Sequence, residues 1–157
     1  MHKFTDTLGR DWNICVNVGT VRRAKDETGI DILALMDFPK KDGEQTPLQV
    51  LTADPMKVVG VVAAICEGQL KERGIDAVAF AEAFTGETLE KATDALLEGV
   101  VDFFPQPRRN YMRSIKEAAA KAAEAENKAM EDAVKNRVFE KVVDEALGKL
   151  STATPES

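Results

Sequence analysis

The sequence predicts a mainly α-helical protein: an amino-terminal β-hairpin packed on a small helical bundle, followed by a long carboxy-terminal helix. Three observations predict it. Residues 58–66 read VVGVVAAIC, with no charge and no strongly polar side chain, and a helix that is apolar on every side belongs inside a core. Trp12, Ile14 and Val16 alternate with Asp11, Asn13 and Cys15, the period-two pattern of a half-buried strand. Residues 108–150 contain no proline, and no glycine before Gly148, so one helix can run through them.

Each element follows from local chemistry. Residues 3–17 form the hairpin, with Asp6 to Arg10 as the turn and Gly9 able to take a positive φ. Two strands alone are marginal, so the hairpin must dock on helices or pair with a partner's strand. Residues 18–28 read as a short helix with Val18, Val21 and Ala24 on one face, closed by Gly29. Ile30 to Met36 form a second short apolar segment, read as helical, and Asp37 to Pro47 a loop. Leu48, Val50 and Leu51 return to the core. Asp54 is a good N-cap and Pro55 suits a first helical turn, while Gly74 suits a helix end. One central helix is therefore expected from Pro55 to Arg73.

Asp76 caps a short helix containing Val78, Phe80, Ala83 and Phe84, and Thr85-Gly86 breaks it. A longer helix follows from Glu87 to Phe104, with Leu89, Ala92, Leu96, Val100 and Phe103 as its apolar stripe. On another face Glu90, Asp94, Glu98 and Asp102 form an acidic row at four-residue spacing. Pro105 stops this helix and Pro107 can start the next. In that last helix Glu117–Lys121, Glu124–Lys128 and Glu131–Lys135 are spaced for ion pairs, each worth roughly 0.2–0.5 kcal/mol. Val138, Val142, Leu147 and Leu150 form an apolar edge near its end, with Phe139, Val143 and Ala146 beside it. The expected organisation is a hairpin-plus-helix body at 1–107, a long helix at 108–150 and a disordered tail at 151–157. A chain cut after Pro107 should then fold by itself.

The totals narrow the function. An apolar fraction of 44% supports a packed core. Residues 1–107 carry 11 basic and 18 acidic side chains, whereas residues 108–150 carry 10 and 8. An acidic body argues against nucleic acid as the partner, because phosphate binding needs clustered Lys and Arg. The apolar run is too short for a membrane span, which takes roughly 20 residues. Met1-His2-Lys3 leads into a polar segment rather than an apolar one, so a cytoplasmic location is expected.

Little in the chain is suited to catalysis. His2, the sole histidine, stands beside the start, a poor place to hold a base in register. Cys15 and Cys66 read as small buried thiols. The acidic row reads as a solvated helix face or a surface for a basic partner, rather than as a metal site. No phosphate-cradling, zinc-helix or nucleophile-elbow motif occurs. The expected protein is therefore not an enzyme and needs no cofactor or metal. An apolar edge at the end of a polar helix must fold back, self-associate or meet another chain. Val138, Val142, Leu147 and Leu150, with Glu90, Asp94 and Glu98, are the candidate partner-binding residues.

The order of segments carries a resemblance. FTDTLGRDWNICVNVGTVRRAKDETGIDI, then an apolar helix, the short helix DAVAFAEAF and GETLEKATDALLEGVVDFFP is similar to small prophage-encoded proteins grouped with the tail assembly chaperones of long-tailed bacteriophages. The resemblance spans residues 3–107, and its most specific pieces are the hairpin with NVGTVRRAKDETGIDI and the end ALLEGVVDFFP. It implies a non-enzymatic, mainly helical protein of the bacterial host's cytoplasm. Such proteins bind the long helical tape measure protein, or another helical tail protein, and keep it soluble until the tail is built. A structural tail-completion or connector component of the virion is the alternative. Nothing transfers to the loop Asp37–Pro47 or to residues beyond Pro107. The longer product that ribosomal frameshifting makes in such systems is not visible in a protein sequence.

Overall fold

A computed structural model describes the backbone of residues 2–152 and the side chains of residues 2–148. The architecture is the predicted one: a two-stranded antiparallel hairpin, a helical body and a long last helix. Of the disordered tail expected at 151–157, Ser151 and Thr152 instead continue the backbone of the last helix, and residues 153–157 lie outside the described residues.

Strands β1 (His2–Thr5) and β2 (Asp11–Ile14) pair in register Phe4 to Trp12. Phe4, Trp12 and Ile14 are buried and their neighbours are not, so the alternation sends one face to the core. Cys15 falls on the outward phase of that alternation and is exposed, whereas Cys66 is buried. The turn is organised by Asp6. Its carboxylate accepts from the Leu8 and Arg10 amides at 2.9 and 3.0 Å, from Arg10 Nε at 2.7 Å and from Trp12 Nε1 at 2.9 Å. Gly9 supplies the positive φ of 77° that the turn requires.

Helix α1 (Val18–Thr28) begins at a capping box in which the Asn17 side chain accepts from the Thr20 amide and Thr20 returns the bond. The Thr20 hydroxyl also donates to the Cys15 carbonyl at 2.8 Å. This anchor turns Thr20 and Ala24 inward, and Val18, expected on the inner face, is exposed. The next apolar segment is only a 3-10 turn at Ile32–Ala34. A short helix α2 (Pro47–Thr52), not expected from the sequence, follows the loop, capped by Thr46 and Gln49. Only Leu51 of its apolar set is fully buried.

The central helix is split into α3 (Pro55–Ile65) and α4 (Glu67–Arg73), with Cys66 between them at φ −88° and ψ 9°. The bend docks α4 on the outer edge of β2. Gln69 accepts from the Asn13 amide at 2.9 Å and donates to its carbonyl at 2.8 Å. Val58, Val61, Val62, Ala64 and Ile65 are buried, while Val59, Gly60 and Ala63 are half-buried. The greasy run is thus a core element with one open side.

Helix α5 (Ala77–Glu82) is capped by Asp76, whose side chain accepts from the Ala79 amide. It delivers Phe80 edge-on to Trp12, with ring centroids 4.9 Å apart. Helix α6 (Gly86–Phe103) buries Ala92, Leu96 and Val100 of the expected stripe, leaves its two ends, Leu89 and Phe103, half-buried, and packs against β1. Gly99 marks a close approach to the end of β2 and the residues after it, since a Cβ there would stand 2.8 Å from Val16 Cγ2 and 3.4 Å from Ile14 Cγ2.

Helix α7 (Arg108–Thr152) starts inside the body. The first compact unit reaches Lys116 and the second comprises the residues after it. Met112 is 3% exposed, and Arg109 donates to the carbonyls of Phe104 and Asp102 at 3.0 Å each, closing the end of α6. The sequence places the boundary at Pro107; these contacts carry the body nine residues further. A chain ending at Lys116 is therefore expected to keep the near-UV circular dichroism of Trp12 and to unfold cooperatively. A chain ending at Pro107 should lose about 2–5 kcal/mol, the usual cost of removing a buried Met-sized side chain from a core. Equal stability of the two truncations would contradict this boundary.

Candidate functional site

Among the described residues two kinds of surface stand out: an apolar helix edge and a groove. The edge belongs to α7. Every described residue from 117 to 148 is exposed, including Val134, Val138, Phe139, Val142, Val143 and Leu147, with Phe139 at 69%. Leu150, predicted to extend this edge, lies outside the described side chains. None of the three Glu-to-Lys pairs foreseen along this helix closes to an ion pair among the described residues. High intrinsic propensity of an Ala-rich segment suffices for helical geometry without them.

The groove belongs to the body. One recess, of about 240 Å³, is lined by Pro55, Met56, Val59, Ala81, Phe84 and Leu89. A second, of about 260 Å³, is lined by Thr52, Pro55, Val58, Leu89, Glu90, Thr93 and Asp94. Pro55 and Leu89 border both, and both are lined mainly by apolar side chains, with Glu90 and Asp94 on the second. Met56, on the first, is 83% exposed. Each recess is smaller than an ordinary small-molecule pocket, which starts at about 300 Å³. The shape suits a few side chains from another protein segment.

The predicted acidic row divides between structure and surface. Asp102 accepts from His2 Nε2 at 2.5 Å and faces Arg113 at 3.2 Å. Those contacts, the His2 hydrogen bond foremost, hold its carboxyl below the usual carboxylate range. Glu98 is bound by Lys116, which also lies 3.9 Å from Asp94. Glu90 makes no ion pair or side-chain hydrogen bond among the described residues. Glu98 and Asp102 thus fasten the start of α7 and of β1 to α6, which leaves Glu90 and the far side of Asp94 to the groove. His2, expected to be loosely held, is fixed by this contact.

Among the described residues the sole histidine, His2, is paired with Asp102, and no hydroxyl or thiol is hydrogen-bonded to it. Burial pushes the Cys66 thiol up to about 12, so it is a neutral donor, 3.7 Å from the Asn13 carbonyl, and not a nucleophile. No group of three or more His, Cys, Asp or Glu is placed to share an ion among the described residues. No described helix is long and apolar enough to cross a membrane. No protein-family model matches the chain, and no characterised protein or solved structure matches it either.

The groove is not legible in the sequence. Its lining comes from the end of α2, from α3, from α5 and the turn after it, and from α6, and Leu89 and Val58 read as ordinary core positions. The one available clue was Met56, an apolar residue at the first turn beside Pro55 and outside the buried phase of α3.

Proposed function

We infer that this protein is a non-enzymatic assembly chaperone that holds a long helical partner of the tape-measure kind and keeps it soluble. The carrying observation is the exposed row Val138, Phe139, Val142, Val143 and Leu147 on α7. A helix bearing apolar side chains in water gains by laying them against another helix, and anchors one turn apart are the usual reading of that mode. Burying one such side chain is worth about 1.5–3 kcal/mol, so a few anchors give useful affinity. The acidic character of the chain, net −6, supports the reading, because self-repulsion keeps a complex with an aggregating client dispersed. The resemblance in segment order supports it as well, and the cytoplasm of the bacterial host is the matching compartment.

Co-expression with a phage tape measure protein tests the proposal. The soluble yield of that partner should rise several-fold and the two should co-purify. Val138→Asp with Val142→Asp should abolish co-purification while the helical circular dichroism stays unchanged, because both positions are exposed. No gain in yield with the unaltered chain would remove the proposal. Finding the protein in purified particles by mass spectrometry would favour a structural tail component instead.

A further inference from the structure

We propose that the outer edge of β1 is a docking site for one extended strand of a partner protein, added antiparallel to the hairpin and carrying a basic side chain toward α6. The hydrogen bonds of the hairpin identify the edge. Gln69 takes both the amide and the carbonyl of Asn13 on the far side of β2. Asn13 stands opposite Lys3, so the two form a non-hydrogen-bonded pair, and the N–H and C=O of Lys3 point out of the sheet on its other side. The Asp6 amide donates to the Arg10 carbonyl at 3.0 Å, which puts Thr5 in the same phase as Lys3. Among the described residues none of these four main-chain groups has a partner. Helix α4 covers the edge of β2, whereas β1 presents two donors and two acceptors in a row. The main chain of an extended segment matches such a row, and this is how a strand adds to a sheet edge.

The surroundings of the edge define the occupant. A trough of about 500 Å³ runs beside it, lined by all four residues of β1, by one line of α6 around Ala95 and by Lys116. The hairpin of a second copy does not fit there. Helix α6 packs chiefly on β1 rather than on β2. Pairing β1 with β1 would bring the two strands to about 4.8 Å and the two α6 helices about as close, whereas packed helices need about 8–10 Å. A strand with no helix of its own beneath it meets no such clash. Charge selects its side chain. Lys3 pairs with Asp11, Lys91 with Glu87 and Lys116 with Glu98. Asp94 is left over: its cation, Lys116, stands at 3.9 Å and is already bound by Glu98, and the Asp94 side chain is 70% exposed. A lysine or arginine on the incoming strand, in the phase of Phe4, completes the set. The site is separate from the edge of α7, so its failure would leave the chaperone reading standing.

Amide NMR of the full chain, titrated with the capped pentapeptide Thr-Val-Thr-Lys-Thr, is the test. The expected result is a saturable shift of the Lys3 and Thr5 amides with a Kd on the order of 1 mM, and slower hydrogen exchange at both. N-methylation of the peptide's threonines removes the donors that face β1 and should abolish the shift. Glutamate in place of the peptide's lysine should weaken binding by at least about threefold, and Asp94→Lys should reverse that preference. Thr5→Pro removes an N–H that faces outward and leaves the ladder to β2 whole. It should abolish binding while the near-UV circular dichroism of Trp12 stays unchanged. No shift of the Lys3 and Thr5 amides at about 10 mM peptide would overturn the proposal. So would slow exchange of both amides before peptide is added, because the edge would then already be covered. A dimer that Thr5→Pro abolishes would overturn it too, because the occupant would then be a second copy.

Discussion

Val62→Asp is expected to abolish cooperative folding of the body. Val62 is fully buried at the middle of α3, among Val58, Val61, Ile65 and the apolar stripe of α6. None of these offers a hydrogen-bond donor, so a carboxylate placed there would be buried without a partner. In practice such a group protonates or drags in water, and the penalty is still several kcal/mol. A domain of this kind has about 5–15 kcal/mol in total, so the substitution removes much or all of it. Thermal unfolding followed at the near-UV band of Trp12 measures this. A cooperative transition within about 1 kcal/mol of the unaltered chain would show that α3 is not the core element.

Asp6→Ala should cost about 3–5 kcal/mol, the range for removing one partner of a buried pair. The Asp6 side chain is fully enclosed and ion-paired with Arg10. Truncation strands Trp12 Nε1 and the Arg10 guanidinium, whose Nη2 is already buried without a partner. The loss spreads beyond the turn. Trp12 is 0% exposed, and the Arg73 guanidinium lies over its ring at 4.4 Å, so the hairpin, α4 and α5 all meet at this side chain. The same carboxylate gives the protein an acid sensitivity. Burial pushes the Asp6 carboxyl up, but the bonds from Trp12, Arg10 and Leu8 together outweigh burial and hold it below the usual carboxylate range. A depressed value means stability that is fully present above the unfolded value and lost as pH falls through the folded one. Asp102 adds a contribution of the same sign. Chemical unfolding measured from about pH 6 to about pH 2.5 should show stability falling below about pH 4. Asp6→Asn should flatten that fall, and an unchanged pH slope in this variant would argue that the carboxylate is not held as described.

Much of the fold was legible because local signals agreed with the tertiary arrangement. Asn17, Asp54-Pro55 and Asp76 start helices where capping chemistry places them, and Gly29 and Gly74 end them at φ 75° and 64°. What the sequence hid depends on partners far along the chain. The break at Cys66 has no proline or glycine at the bend; it coincides with Gln69 pairing to the backbone of Asn13. Asp6 reads from the sequence only as a turn residue, and the folded position of Trp12 makes it a buried anchor. The acidic row was read as one surface, yet Arg113, Lys116 and His2 claim half of it. The edge of α7 was readable because helical periodicity alone defines it. The groove was not, because several helices must be assembled before it exists.

Hydrogen–deuterium exchange of the full chain, alone and with the tape measure protein proposed as its partner, bears most directly on the proposal that α7 is the binding element. The account predicts that amides of residues 134–148 exchange fast in the free chain at low concentration and become protected by at least about tenfold in the complex, while those of α3 and α6 are slow throughout. Protection confined to residues 2–116, with α7 exchanging as fast in the complex as alone, would contradict it.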